Sequence, residues 1–168
     1  MRSNDKIRRC FAQLCGCLEE TPDVTVQQAA PLSAALRING HPPLAAVLLS
    51  YPCHDRFWTQ EYDAAYTLTV PRQAPSPAEL IFRGGRFTGN DEDALRRLNQ
   101  SFLLERLSAL DFTRLSLHRS NGNWTVELRV LNGSCVRMLF PPLTNYLKTT
   151  PAECVAVLQV LQIIASTL

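Results

Sequence analysis

FTRLSLHRSNGNWTVELRVLNGSCVRMLF, residues Phe112 to Phe140, is the stretch on which the fold turns. Leu115 and Leu117 alternate with Arg114, Ser116 and His118, and Trp124, Val126, Leu128 and Val130 alternate with Thr125, Glu127 and Arg129. Period two is the signature of a strand with one buried face. Asn121-Gly122 stands between the two runs. A two-residue type I′ turn needs positive φ at both central positions, and Asn-Gly supplies it at least cost. With the turn there, Leu117 faces Val126 and Leu115 faces Leu128, so turn chemistry and apolar pattern agree on one register. Asn132-Gly133-Ser134 predicts a second turn and hence a three-strand meander. A three-residue loop puts Val136, Met138 and Phe140 on the apolar face. A two-residue loop would put Arg137 there, so the three-residue reading is preferred.

The same register composes the polar face. Arg114 falls opposite Arg129, and the second loop sets Arg129 opposite Arg137, with His118 and Glu127 nearby. Like charges directly opposed on a sheet destabilise it. Such a row calls for splaying into water, for intervening carboxylates, or for a bound anion. Arg114, Arg129, Arg137 and His118 are therefore the candidate anion-binding residues.

The flanks are built to cover this sheet. Ile7, Cys10, Phe11, Leu14 and Leu18 make one helical stripe over residues 5–18, capped from Ser3, Asn4 or Asp5. Strands are expected over 23–27, 32–38, 64–70 and 79–83, the last closed by Gly84-Gly85. Leu44 to Leu49 fits either a strand or a helical turn, and 39–63 as a whole resists assignment. Pro71 to Pro77 holds three prolines and marks a hinge-like loop. Asn90 caps a central helix whose first turn is Asp91-Glu92-Asp93, and Asn99-Gln100-Ser101 divides that helix. Thr150, Pro151 and Glu153 spell a capping box for the last helix. Its interior is apolar but for the narrow stripe Gln159, Gln162 and Ser166, so it must be covered on more than one side.

The chain is 168 residues long, 46% hydrophobic and 19% charged, which fits one globular domain over 1–168. A net charge of +2 gives no basis for a nucleic-acid partner. Fifteen of the seventeen basic residues are arginine, the exceptions being Lys6 and Lys148. No window is apolar for the ~20 residues of a membrane span, and no secretory signal is read at the N-terminus. Leu14-Cys15-Gly16-Cys17 hints at a lipoprotein box, but the segment before it is too charged and short. The expected compartment is the cytoplasm, with six cysteines mostly reduced.

Catalytic and metal motifs are thin. Cys10, Cys15 and Cys17 cluster, and Cys53 precedes His54, but no pair of Cys-x-x-Cys motifs exists, so no metal site is expected. On a helix, Cys10 and Cys17 lie ~10 Å apart along the axis, too far for a bridge. Arg83 to Gly89 is glycine-rich but lacks the Lys-Ser/Thr ending of a phosphate loop, and three carboxylates follow it. His41, His54 and His118 stand in no nucleophile motif. No cofactor is implied.

Leu110-Asp111-Phe112-Thr113-Arg114-Leu115, Asn123-Trp124-Thr125-Val126, Asn132-Gly133-Ser134 and Pro142 to Tyr146 together carry a resemblance. From Leu107 onward, about a third of the chain, the sequence is similar to a domain-of-unknown-function family of proteobacterial proteins. No site or ligand follows from it. In element order alone the chain also looks like secretion chaperones, which dimerise and are more acidic.

The expectation is an α+β domain: an antiparallel sheet ending in a three-strand meander, with helices at the N-terminus, centre and C-terminus on one face. The functional expectation is a non-enzymatic binding or protein-interaction module. It would act as a homodimer, or on a protein or polyanion, through the sheet face, the meander edge or the last helix. A small-ligand carrier with a sheet–helix pocket and an enzyme of unassigned type are the alternatives.

Overall fold

The computed structural model describes residues 2–40, 46–72 and 76–168. His41 and the middle of the hinge-like segment 71–77 lie outside the described residues. The elements run in chain order as α1 (Arg2–Glu19), β1 (Val24–Ala30), β2 (Ser33–Ile38), β3 (Val47–Ser50), β4 (Cys53–Asp55), β5 (Thr59–Pro71), β6 (Ala78–Arg83) and β7 (Arg86–Gly89). They continue with α2 (Glu92–Leu98), α3 (Ser101–Ser108), β8 (Phe112–Ser120), β9 (Asn123–Met138), β10 (Leu143–Tyr146) and α4 (Pro151–Thr167). The fold is α+β.

The ten strands among the described residues join one antiparallel sheet in the order β1-β2-β3-β5-β9-β8-β6-β7, with β4 added beside β5 and β10 beside β9. Leu36, Val47, Leu68, Val126, Leu117 and Leu80 pair in sequence across it. Cross-strand partners share a face, so these six form one buried apolar row. Residues of all four helices join the same hydrophobic core. The helices therefore gather on one face, and the other face is open.

The first Asn-Gly site is a hairpin in the expected register. Leu117 pairs with Val126, Leu115 with Leu128 and Ser120 with Asn123, and Asn121 and Gly122 take φ of 49° and 76°. The second site is a correction. Asn132-Gly133-Ser134 does not turn the chain back, and β9 runs on through it for 16 residues. Tyr62 pairs with Cys135 and Ala64 with Val130, leaving Asp63 alone opposite residues 131–134. This is a large β-bulge. It falls where β9 changes neighbours, with β8 ending at Val130 and β10 beginning at Cys135. Ser134 holds it: its hydroxyl donates to Val130 O at 2.6 Å and accepts from Ala64 N at 2.9 Å. The third strand of the meander is β10, reached by the turn at 139–142.

The helix starts carry two outcomes. The α4 capping box forms between Thr150 and Glu153, with Pro151 in the first turn. The cap of α2 is Asp91, whose carboxylate accepts from Ala94 N at 2.9 Å, while Asn90 accepts from Glu79 N. The central helix does split at Asn99, whose side chain bonds both Phe87 N (2.7 Å) and Phe87 O (3.0 Å). The N-terminal helix begins before its expected caps, at Arg2, yet buries the five expected stripe residues. Helix α4 buries Cys154, Val157, Leu158, Val160, Leu161, Ile164 and Ala165 and packs on α1, α2 and α3. Its second flank meets helices of its own chain. Each large apolar side chain so buried contributes about 1.5 to 3 kcal/mol.

Candidate interaction surface

The arginine row is only half formed. Arg114 pairs with Arg129, and Ser116 with Glu127 and His118 with Thr125 continue that open face. Arg137 is not part of it. It pairs with Gln60 and Thr144, and its guanidinium donates to Gln60 Oε1 at 2.9 Å. Gln60 shares the parity of Tyr62 and Ala64, so the bulge has turned Arg137 to the helix side of the sheet. The expectation failed because it needed a hairpin where the chain continues.

Arg129 also has its own counter-charges. Its guanidinium Nε donates to Glu127 Oε1 at 2.5 Å, and Nη1 lies 3.8 Å from Asp63 Oδ2. Nη1 also touches His54 Nε2, which sits 3.4 Å from Asp63 Oδ2. Glu61 pairs with Arg56 at 3.0 Å close by. Carboxylates thus intervene in the row, which removes the like-charge strain that called for an anion. Arg114 and His118 are exposed on the same face.

The surface that stands out lies at one end of the sheet. Strands β4 and β5 are joined by the two residues Phe57-Trp58, closed by Arg56 N to Thr59 O (2.8 Å) and Thr59 N to Arg56 O (3.3 Å). Hairpin loops favour Gly, Asn and Asp; this one presents two aromatic rings, in edge contact at 4.6 Å. Phe57 is 84% exposed and Trp58 58%. The β9–β10 turn lies beside it, held by Leu139 N donating to Trp58 O at 2.9 Å and by the pairing of Thr59 with Met138. It adds Phe140 at 77%, with Leu139, Leu143 and Met138 also exposed. Val136 and Met138, expected on the apolar core face, pair with Glu61 and Thr59 on the open face because the bulge has reversed the parity of β9. Phe140, also expected on the core face, is at the surface in the turn beyond β9. Strand β10 pairs with β9 alone among the described residues, so its outer edge is open next to this tip.

Local sequence pattern missed this surface because Phe-Trp is not turn chemistry and the flanking residues Cys53 to Arg56 and Thr59 to Glu61 carry no apolar alternation.

Residues 19–168 match the family described as a protein of unknown function, DUF3156. The chain belongs to the DUF3156 family. The match covers most of the chain rather than its C-terminal third, and it begins where α1 ends. No curated protein and no solved structure matches the chain. Nothing in the family's description names a ligand or partner, so the DUF3156 fold has to be read from its own surfaces. Two clefts flank α4. One of about 280 Å³ lies among Thr21, Val24, Ile38 and Leu158. The other, about 220 Å³, lies among Tyr66, Leu110, Asn132 and Val157. No helix among the described residues is long and apolar enough to cross a membrane.

Proposed function

We propose that this DUF3156 protein is a non-enzymatic interaction module that binds a second copy of itself through the aromatic tip and the adjoining edge of β10. The observation that carries the reading is the exposure of Phe57, Trp58 and Phe140 on two hairpins tied to each other. The three rings alone present roughly 300 to 550 Å² at 150–250 Å² per aromatic. That already matches the largest apolar patch of an ordinary monomer, about 300–600 Å². Doubled across a two-fold axis and extended by Met138, Leu139 and Leu143, it clears the ~1,000 Å² expected of a specific interface. The free edge of β10 offers main-chain hydrogen bonds beside the apolar contact, the combination used in strand addition.

Sedimentation velocity over a wide concentration range tests it. Wild type is expected to dimerise, and Phe57→Ser combined with Phe140→Ser to weaken the dimer at least tenfold. Phe102→Ser is the control: Phe102 is an exposed aromatic on α3, 54% accessible, and its loss should leave association unchanged. A wild type that stays monomeric at every concentration overturns the proposal. If that monomer instead co-sediments with phospholipid vesicles and the double variant does not, the tip is a lipid-inserting element.

A further inference from the structure

Four of the six cysteines meet in two pairs that the sequence keeps far apart. Cys10 Sγ lies 3.3 Å from Cys135 Sγ, 125 positions away in the chain. Cys17 Sγ lies 3.8 Å from Cys154 Sγ, across 137 positions. Each pair has one sulfur on α1 and the other on the part of the chain matched by the family, in β9 or α4. Cys10, Cys135 and Cys154 are buried and Cys17 is half-buried.

We propose that Cys10–Cys135 and Cys17–Cys154 are two disulfide-forming pairs that fasten α1 onto the DUF3156 domain. A disulfide needs sulfurs about 2.05 Å apart. The first pair must close by about 1.2 Å and the second by about 1.7 Å relative to that length, movements of the size that side-chain rotation provides. The helix geometry agrees. Cys10 and Cys17 cannot reach each other along α1, but both sit on its inward side and each finds a sulfur below it. Helix α1 precedes the family match, and the two contacts span that boundary. The pairs therefore have a common consequence: oxidised, α1 cannot leave the core; reduced, it is held by packing alone.

For each bridge two S–H bonds break and one S–S bond forms. Two electrons and two protons pass to an external disulfide, such as oxidised glutathione or a thiol–disulfide oxidoreductase, which becomes two thiols. The attacking species in such exchange is a thiolate. Burial pushes the Cys135 and Cys154 thiols up to about 12, so thiolate is scarce once the core has closed. This favours bridging while the chain folds, and of the two bridges Cys10–Cys135 is the one buried on both sides.

The test uses the full chain, refolded either in oxidised and reduced glutathione or in excess reductant. Under the oxidising buffer the intact mass should fall by four hydrogens. Non-reducing peptide mapping should return Cys10 joined to Cys135 and Cys17 joined to Cys154. After denaturation only Cys15 and Cys53 should alkylate, and Tm should exceed that of the reduced protein by roughly 5–15 °C. Cys10→Ser should remove the first bridge and leave the second, and Cys17→Ser the reverse. Wild-type mapping needs no variant to fold. Six alkylated thiols after oxidative refolding, or a map joining Cys10 to Cys15 or Cys17, overturns the proposal.

Discussion

Asn121-Gly122 and Asn132-Gly133 are the same dipeptide eleven residues apart, each with an alternating run before and after it, and they have opposite fates. The first reverses the chain in two residues. The second is a bulge inside a continuing strand. Both glycines take positive φ, 76° and 89°, so backbone freedom does not separate them. Their surroundings do. A Cβ at Gly122 would meet only Arg72 O, at 3.6 Å. At Gly133 it would come within 2.9 Å of Leu14 Cδ1 on α1. Gly133 O accepts the Tyr51 hydroxyl, and Gly133 N donates to Leu147 O at 2.7 Å. The first site turns by local chemistry, with one distant main-chain bond, Arg72 N donating to Gly122 O at 2.8 Å. The second is specified by contacts from α1, by Tyr51 just beyond β3, and by the residue after β10, all distant in sequence. Asn-Gly says where positive φ is cheap, and long-range contacts say what it is used for.

The largest expected effect follows directly. Gly133→Ala adds left-handed strain and drives a methyl into Leu14, so it should cost about 2 to 4 kcal/mol. Leu14→Ala alone should cost about 2 to 5 kcal/mol as a cavity. The double variant should be less destabilised than the two losses added, because the clash is gone. Urea denaturation of the four proteins gives the coupling. Additive losses would show that Leu14 does not define the site and that the comparison rests on strain alone.

The same division explains what could be read in the sequence. The β8–β9 register, the stripe of α1, the break at Asn99 and the capping box of α4 depend on residues within a turn or a strand of each other, and they were legible. The bulge was not, since nothing near Asn132 announces Leu14 or Leu147. The error then propagated. A hairpin at Asn132 places Arg137 beside Arg129 and Phe140 in the core, whereas the bulge sends Arg137 to the helix side and Phe140 to the surface. The counter-charges of Arg129 were hidden for the same reason: Asp63 and His54 come from a hairpin whose Phe-Trp loop carries no turn signal. The cysteine pairs need a tertiary fold to exist at all.

A smaller loss is expected at the first site. Gly122→Ala makes only ordinary contact with Arg72 O at 3.6 Å, so the left-handed backbone is the main penalty, about 1 to 2 kcal/mol. The measured cost should be below that of Gly133→Ala by more than 1 kcal/mol. The change should act mainly on the folding rate if the hairpin belongs to the nucleus, or on unfolding if it does not. Equal costs at the two glycines would mean that long-range contacts add nothing at Gly133.

The smallest effect is one of pH, and it bears on the hairpin alone. Arg119 is the residue before Ser120 at the hairpin's mouth and is only 9% exposed. Its guanidinium lies over the Trp124 ring at 4.8 Å, donates through Nε to Ser76 O at 2.8 Å, and through Nη1 to Asp91 Oδ2 at 2.7 Å. The Ala94 backbone N–H and then Arg119 hold the Asp91 carboxyl below the usual carboxylate range, against the opposing effect of burial. A carboxyl depressed in the folded state stabilises that state above its unfolded value, ~3.9, and the benefit is lost as pH falls through the folded value. As pH falls below about 4 and then through the lowered folded value, the Asp91 contact should be lost and the Asn121 hairpin loosen. The hydrogen bonds of Gly133 and Ser134 in the bulge, made to Tyr51, Leu147, Val130 and Ala64, involve no carboxylate and keep their protection, although Asn132 beside them donates to the Glu153 carboxylate at 2.7 Å. Amide exchange followed by NMR should show Ser120 to Trp124 opening before Gly133 and Leu147. Asp91→Asn retains a good cap but no titrating charge, so its hairpin protection should be flatter over the same range. If the two sites lose protection together, or the Asn variant follows the wild-type curve, the Arg119–Asp91 pair does not support the hairpin, and its stability is set by the turn itself.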